Sequence, residues 1–205
     1  SAGVSEPAVL ASSVLVDSNV TCNGLGDGGL SVIATGGTGP YAYSWNNSST
    51  TASITGIGAG EYLVTLTDSN GCTIADTGTV SEPAVLYVEI SIDNAITCHG
   101  SADGKLSALV EGGTAPYLYE WSNKASTGSI ASIGAGSYTI VVIDSNGCSA
   151  ADTTAVTEPL LITGSVLHVQ GSLHLVAKVI GTETTKVVGT SVKGNAQGEL
   201  DALVA

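Results

Sequence analysis

Gly36-Gly37-Thr38-Gly39-Pro40-Tyr41-Ala42-Tyr43-Ser44-Trp45 returns as Gly112-Gly113-Thr114-Ala115-Pro116-Tyr117-Leu118-Tyr119-Glu120-Trp121, a shift of 112 − 36 = 76 residues. The same shift carries Val4-Ser5-Glu6-Pro7 onto Val80-Ser81-Glu82-Pro83 and Thr21-Cys22 onto Thr97-Cys98. It also carries Asp68-Ser69-Asn70-Gly71-Cys72 onto Asp144-Ser145-Asn146-Gly147-Cys148, with no insertion or deletion between the copies. A fixed period decides architecture before anything else, and a unit of this length is a whole small domain, longer than the ~20–50 residues of a solenoid turn. Residues 1–7 read as the end of a preceding repeat, 8–83 as a first repeat, 84–159 as a second, and 160–205 as a C-terminal β-rich segment or cap.

Composition points the same way. Glycine is abundant at 27 residues, Val, Ile, Thr and Ser are frequent, and helix-favouring runs are almost absent, which favours short strands and turns. With no Phe, Met or Arg, each core is built from aliphatics, a few Tyr and one Trp per repeat. In order, Ala8–Val16 reads as a strand, Asn23–Gly28 as a glycine-rich turn and Leu30–Ala34 as a strand; Gly36–Pro40 then turns the chain into Tyr41–Trp45. A short strand near Ala52–Ile54 follows, then a tight Gly56–Gly60 connection, Tyr62–Asp68 as the strongest strand, and Cys72–Val80. That last strand is expected to run through Ser81-Glu82-Pro83 straight into the next repeat. Pro83 fixes its own φ and holds Glu82 extended, so the junction reads as stiff. Six or seven alternating, turn-bounded strands predict an all-β fold of tandem immunoglobulin-like antiparallel β-sandwich repeats.

Charge excludes some partners. The net −13 divides as −6 over residues 4–79 (six acids, no Lys), −6 over 80–155 (eight acids, two Lys) and −1 over 156–205 (four acids, three Lys). Nucleic acid, which needs clustered Lys and Arg, is not an expected partner, and anionic lipid is repelled as well. No window approaches ~18 consecutive apolar residues, so no membrane-spanning helix is predicted.

The four Cys fall two per repeat at one spacing, 72 − 22 = 50 and 148 − 98 = 50. The expected pairing is Cys22–Cys72 and Cys98–Cys148; an incomplete metal site or buried free thiols are the alternatives. A disulfide closing a loop of that size would stabilise a small sandwich by ~4 kcal/mol in the chain-entropy model, and it implies an oxidising, extracellular compartment.

The ordered set Thr-Cys-Asn-Gly, Asp-Gly, Gly-Gly-Thr-Gly-Pro-Tyr-x-Tyr-x-Trp, Gly-x-Tyr and Asp-x-Asn-Gly-Cys, closing on Glu-Pro, resembles the SprB repeat of giant cell-surface adhesins of gliding Bacteroidetes. The resemblance covers residues 4–159; the second copy departs at His99 for Asn23 and Ala115 for Gly39. It implies a secreted, surface-exposed β-sandwich repeat in a long filamentous protein, in some members a motility adhesin exported by the type 9 secretion system.

Candidate sites each have a structural counterpart. Asp27, Asp68 and Asn70, with Asp103, Asp144 and Asn146, are oxygen ligands in turns beside the cysteines and suit Ca²⁺, the one cofactor the sequence suggests; Asp-Gly and Asn-Gly are also ordinary turn dipeptides needing no metal. The stripes Tyr41, Tyr43, Trp45 and Tyr117, Tyr119, Trp121 each share a strand face. They suit either sugar stacking or core packing against the opposite sheet and the disulfide, the latter being favoured. His99, His168 and His174 are isolated and no nucleophile–base set recurs, so an enzyme is not expected.

After Pro159, the stretches Leu160–Val169, Ser172–Ile180 and Thr184–Val192 alternate like strands and the chain ends in Glu199–Ala205. Lys178, Lys186 and Lys193 sit there. This segment reads as a capping domain, with strands shared between subunits of a polymer as the other reading. The expected function is therefore a non-catalytic structural and adhesive segment of a secreted cell-surface protein, a stiff rod with neighbouring repeats as its first partners. A carbohydrate- or calcium-binding module recognising surface polysaccharide, and a subunit self-associating into an extracellular filament through the C-terminal strands, are the alternatives.

Overall fold

In a computed structural model, the chain is described over residues 6–169 and 172–180, with side chains through Leu161. The first repeat forms β1 (Ala11–Ser18), β2 (Gly28–Thr35), β3 (Ala42–Trp45), β4 (Ser53–Ile57), β5 (Gly60–Thr67) and β6 (Thr73–Val80). The second forms β7 (Tyr87–Asn94), β8 (Gly104–Glu111), β9 (Leu118–Trp121), β10 (Ser129–Ile133), β11 (Gly136–Ile143) and β12 (Ser149–Val156). Every boundary in the second set lies 76 residues beyond its counterpart, for example 87 − 11 and 149 − 73. Identical local patterning therefore yields identical elements.

Each repeat is a two-sheet antiparallel sandwich, ordered β1-β2-β4 facing β3-β5-β6, and β10-β8-β7 facing β12-β11-β9. Strand alternation explains which side chains face inward. On β5, Val64 and Leu66 are buried while Leu63 is exposed, and Trp45 lies directly across from Val64 in the β3–β5 ladder. With Val20, Leu30, Val32, Ile54, Ile57 and Val80 they form the core of the first sandwich. Leu106, Trp121, Ile130, Ile140, Val142 and Val156 repeat that core in the second.

The open edge between the sheets is closed by a carboxylate. Val14 N–H of β1 donates to Asp76 of β6 at 3.2 Å, and Ile90 N–H donates to Asp152 at 2.8 Å in the second copy. One position breaks the equivalence: Ser12 Oγ is buried without a hydrogen-bond partner, where the second copy has Val88, buried at 3% exposure.

The glycine pair that opens the repeat motif has a steric cause. Gly36 has φ +66°, and a Cβ there would collide with the Val9 carbonyl; Gly112 stands in the same relation to Val85. Its neighbour Gly37 donates its N–H to Ala8 O at 2.7 Å, so the loop lies flat on the segment leading into β1. The Gly39–Pro40 and Ala115–Pro116 peptides that follow are cis.

Three sequence expectations about boundaries are corrected. The Gly56–Gly60 connection is shorter than expected, because buried Ile57 still pairs with Gly28 at the end of β4 and β5 already begins at Gly60. The first strand starts at Ala11, not Ala8. Strand β6 does not run into the second repeat: it ends at Val80 and β7 begins at Tyr87. Ser81 O there accepts from Val20 N–H and the Glu82 carboxylate from Gly24 N–H, so these groups bond to the first repeat's own β1–β2 loop.

By spatial contact the chain falls into two compact units. One takes the residues up to Val88 with Val110–Tyr119 and Val141–Ala151; the other takes Glu89–Leu109, Glu120–Ile140 and the residues from Asp152. The first unit thus holds the whole first sandwich together with one end of the second. Beyond Pro159, β13 (Leu161–Val169) and β14 (Ser172–Ile180) pair antiparallel from Leu161↔Ile180 to Val169↔Ser172. The strand expected over Thr184–Val192 and the end at Glu199–Ala205 lie outside the described residues. Among the described residues no helix is long and apolar enough to cross a membrane.

Two substitutions separate the causes at work. Gly71 also has positive φ, +83°, but nothing lies near its missing Cβ. Gly71→Ala is expected to cost about 1 kcal/mol of backbone strain, and Gly36→Ala clearly more, in urea unfolding of the chain. Conversely, Ser12→Val removes an unsatisfied buried hydroxyl and should raise the stability of the first repeat by about 1 kcal/mol, read as a higher urea midpoint.

Candidate functional site

The polar residues singled out in the sequence cluster at the two ends of each sandwich, and backbone hydrogen bonding explains why. At the β5–β6 turn, Asp68 is buried and its carboxylate accepts three backbone N–H bonds, from Thr38 at 3.0 Å, Asn70 at 2.9 Å and Cys72 at 2.8 Å. Asp144 does the same with Thr114, Asn146 and Cys148, each at 2.9 Å. One side chain thereby ties the Gly-Gly-Thr loop to the Asn-Gly turn. Burial acts to raise both carboxyls, but the N–H donors outweigh it and hold them below the usual carboxylate range.

At the opposite end, Asp27 accepts from Thr21 through both its hydroxyl and its N–H, and Asp103 accepts likewise from Thr97. The hydroxyl bond is the larger cause of the lowered carboxyl pKa at both positions. Glu82 and Glu158 complete this end by accepting from Gly24 and Gly100 N–H, each at 2.7 Å. Asn23 Nδ2 donates to Pro83 O at 3.0 Å, and in the second copy its replacement His99 lies 3.5 Å from the Glu158 carboxylate.

This geometry corrects the expected cysteine pairing. Cys22 sits beside Ser81–Pro83 at the end of β6, whereas Cys72 sits at its start. Eight residues of extended strand, roughly 26 Å, separate them, and a disulfide needs Cα atoms within about 7 Å. The same holds for Cys98 and Cys148. The bond that forms is Cys22–Cys148, with Cα atoms 5.7 Å apart, while Cys72 and Cys98 are free and exposed. Beside it, Asn146 Nδ2 donates to Thr21 O at 2.9 Å, and an open groove is lined by Leu25, Val85 and Leu86. The cysteines lie in loops, so the tryptophan does not pack on an inter-sheet disulfide as expected.

The same separation divides the residues suggested for calcium. Asp27 is at one end of the first repeat and Asp68 with Asn70 at the other. Their carboxylates already accept N–H and O–H bonds. Among the described residues no three His, Cys, Asp or Glu side chains converge as a cation cage would require.

The tryptophans of the aromatic stripes are core residues, and Tyr43 packs against the core of the first sandwich. Trp45 and Trp121 are 3% and 2% exposed, and their indole N–H groups donate to Thr51 O and Thr127 O at 2.9 and 2.8 Å. Tyr41 and Tyr117 are half-buried and donate their hydroxyls to Gly36 O and Gly112 O; Tyr43 and Tyr119 are half-buried too. No indole face is open to a sugar ring. Sequence reasoning missed the roles of Glu82, Glu158, Thr21 and Thr97. Their recurrence beside Pro and Cys was visible; the partners of Glu82 and Glu158 lie 58 residues away, whereas Thr21 and Thr97 bond Asp27 and Asp103 only six residues on.

The family model described as SprB repeat matches residues 16–50 and 94–126, ending at equivalent positions of the two repeats. No curated protein matches the chain. Among solved structures, one similar chain is the C-terminal 282-residue fragment of intimin in complex with the intimin-binding domain of the translocated intimin receptor. It is 19% identical with a TM-score of 0.40, covering 77% of this chain and 67% of that one. Another is a tetra-tandem repeat from the extending region of a large adhesion protein, 19% identical with a TM-score of 0.31, covering 92% of this chain and 64% of that one. This chain therefore spans about two thirds of the length of either fragment. At that degree of likeness neither structure speaks to what this chain does.

Because Asp68 and Asp144 carry lower pKa values folded than unfolded, their stabilisation is complete above the unfolded value of about 4 and is lost as pH falls through the folded value. Urea midpoints are expected to fall from about pH 4 downward. Asp68→Asn, which keeps one acceptor oxygen and cannot ionise, should lower the midpoint at neutral pH and flatten that acid dependence. An unchanged acid slope in the variant would contradict the assignment.

Proposed function

Taking as premise that this chain carries the SprB repeat twice in tandem, we propose that it is a non-catalytic structural and adhesive segment of a secreted bacterial cell-surface protein, one serving attachment or gliding. The observation that carries the reading is the Cys22–Cys148 bond, which ties the first repeat to the second over a sequence separation of 126 residues. Under a pull on the chain from either side, the residues between the two cysteines, β2 through β11, are held by the sulfur–sulfur bond and cannot be drawn out. That is the construction of a tether.

Other features support it. Glu82 and Pro83 are held by Gly24 N–H and Asn23 Nδ2, which fixes the end of the first repeat where the chain leaves it and favours a stiff connection over a hinge. Acidic residues outnumber basic ones in both repeats, which keeps neighbouring chains soluble and apart. The buried tryptophans favour framework over a sugar-binding stripe. An oxidising, extracellular setting is the one in which such a bond persists.

Single-molecule stretching from the two termini tests this. With the bond intact, the 126-residue span cannot extend, so the fully stretched chain should be shorter by about 420–450 Å than after reduction. Equal extension in both conditions would overturn the tether reading.

A further inference from the structure

The two free cysteines are unmatched halves of a bond that the chain has already made once. Cys98 occupies in the second repeat the place of Cys22 in the first. Each stands beside a Thr that donates to an Asp, Asp103 or Asp27, and beside a Gly N–H held by a Glu, Glu158 or Glu82. Cys72 occupies the place of Cys148, each N–H held by the carboxylate of its turn, Asp68 or Asp144. The equivalent pair, Cys22 and Cys148, is bonded, and both unbonded thiols are exposed.

We propose that Cys98 of one copy of this chain forms a disulfide with Cys72 of a second copy, joining copies head to tail by a sulfur bond equivalent to the one between the repeats. This goes beyond the tether reading and does not depend on an adhesive role. The contact has a second element to reproduce. Asn146 Nδ2 bonds both Thr114 Oγ1 and the Thr21 carbonyl across the junction, whereas Asn70 Nδ2 bonds Thr38 Oγ1 alone and keeps a donor for the Thr97 carbonyl of the next copy. Val9, counterpart of the groove residue Val85, is 88% exposed against 63% for Val85. At the Cys98 end, His99 and Ser101 replace Asn23 and Leu25, so less apolar surface is available there and the sulfur bond carries more of the joint.

The oxidant is a small-molecule disulfide such as oxidised glutathione. The Cys72 thiolate attacks one glutathione sulfur and releases a glutathione thiolate. The Cys98 thiolate of the second copy then attacks the Cys72 sulfur and releases the other glutathione thiolate. Two protein thiols become one disulfide, and the two protons they lose end on two reduced glutathiones. Because both copies are anionic, about 0.15 M salt is needed to shorten their repulsion to roughly 8 Å.

The full chain, with Cys22–Cys148 formed, is incubated in a glutathione redox buffer, then sized by light scattering and mapped by non-reducing peptide mass spectrometry. The expected result is a ladder of dimers and longer species that collapses on reduction, with Cys72 and Cys98 peptides joined between copies. Cys72→Ser and Cys98→Ser should each stay monomeric, and their equimolar mixture should stop at a dimer; both substitutions fall on exposed thiols, and retention of the Cys22–Cys148 peptide checks the fold. The proposal is overturned if the parent chain stays monomeric with both thiols capped by glutathione. It is equally overturned if either single variant dimerises as readily as the parent, or if Cys72 and Cys98 are found joined within a monomer.

Discussion

An extended strand of eight residues is the constraint from which most of this molecule's chemistry follows. Strand β6 runs the length of the sandwich, with Cys72 at its start and the Glu82–Pro83 junction and Cys22 loop at its finish. A small β domain has a marginal core, and two cysteines in such a domain would ordinarily staple it shut. Here the strand's length forbids the staple. Each repeat must therefore stand on its own core of Trp, Leu, Ile and Val, and its cysteines are left to act at its two ends.

Those ends are chemically different, and that difference makes a directional array feasible. One presents a buried aspartate gripping the backbone of its turn, with an Asn amide and a cysteine on the outside. The other presents a Thr–Asp pair, a Glu holding a Gly N–H, the Thr21 carbonyl that accepts from Asn146, and the other cysteine. An amide donor meeting a carbonyl acceptor beside a sulfur–sulfur bond is a heterologous contact, made by two different surfaces and not by one surface with itself. Asp68 and Asp144 each accept three backbone N–H bonds, and Asp27 and Asp103 each accept one N–H and one hydroxyl, so these carboxylates organise the turns at the two ends.

Much of the fold was legible because it is local. The alternation of Tyr41, Tyr43 and Trp45, the β-branched runs and the glycine pair at Gly36-Gly37 are read over a few residues, and the shift to Gly112 confirms each reading independently. The errors at Gly56–Gly60 and at the Val80–Tyr87 junction are of the opposite kind. Ile57 is in a strand because Gly28, far back in the chain, pairs with it, and Ser81 leaves the strand because Val20 N–H takes its carbonyl.

The sequence alone determined the period, the all-β class, the inward-facing residues and the anionic surface, since these depend on neighbours in the chain and on counting. Only the tertiary structure decided which cysteine meets which, what Asp68 and Asp27 hold, and that the tryptophans are closed to ligand. Equal spacings of 50 residues make Cys22–Cys72 and Cys98–Cys148 the natural pairs on paper. Distance along the chain says nothing of distance through space once an extended strand lies between, and Cys22 finds its partner 126 residues away for that reason.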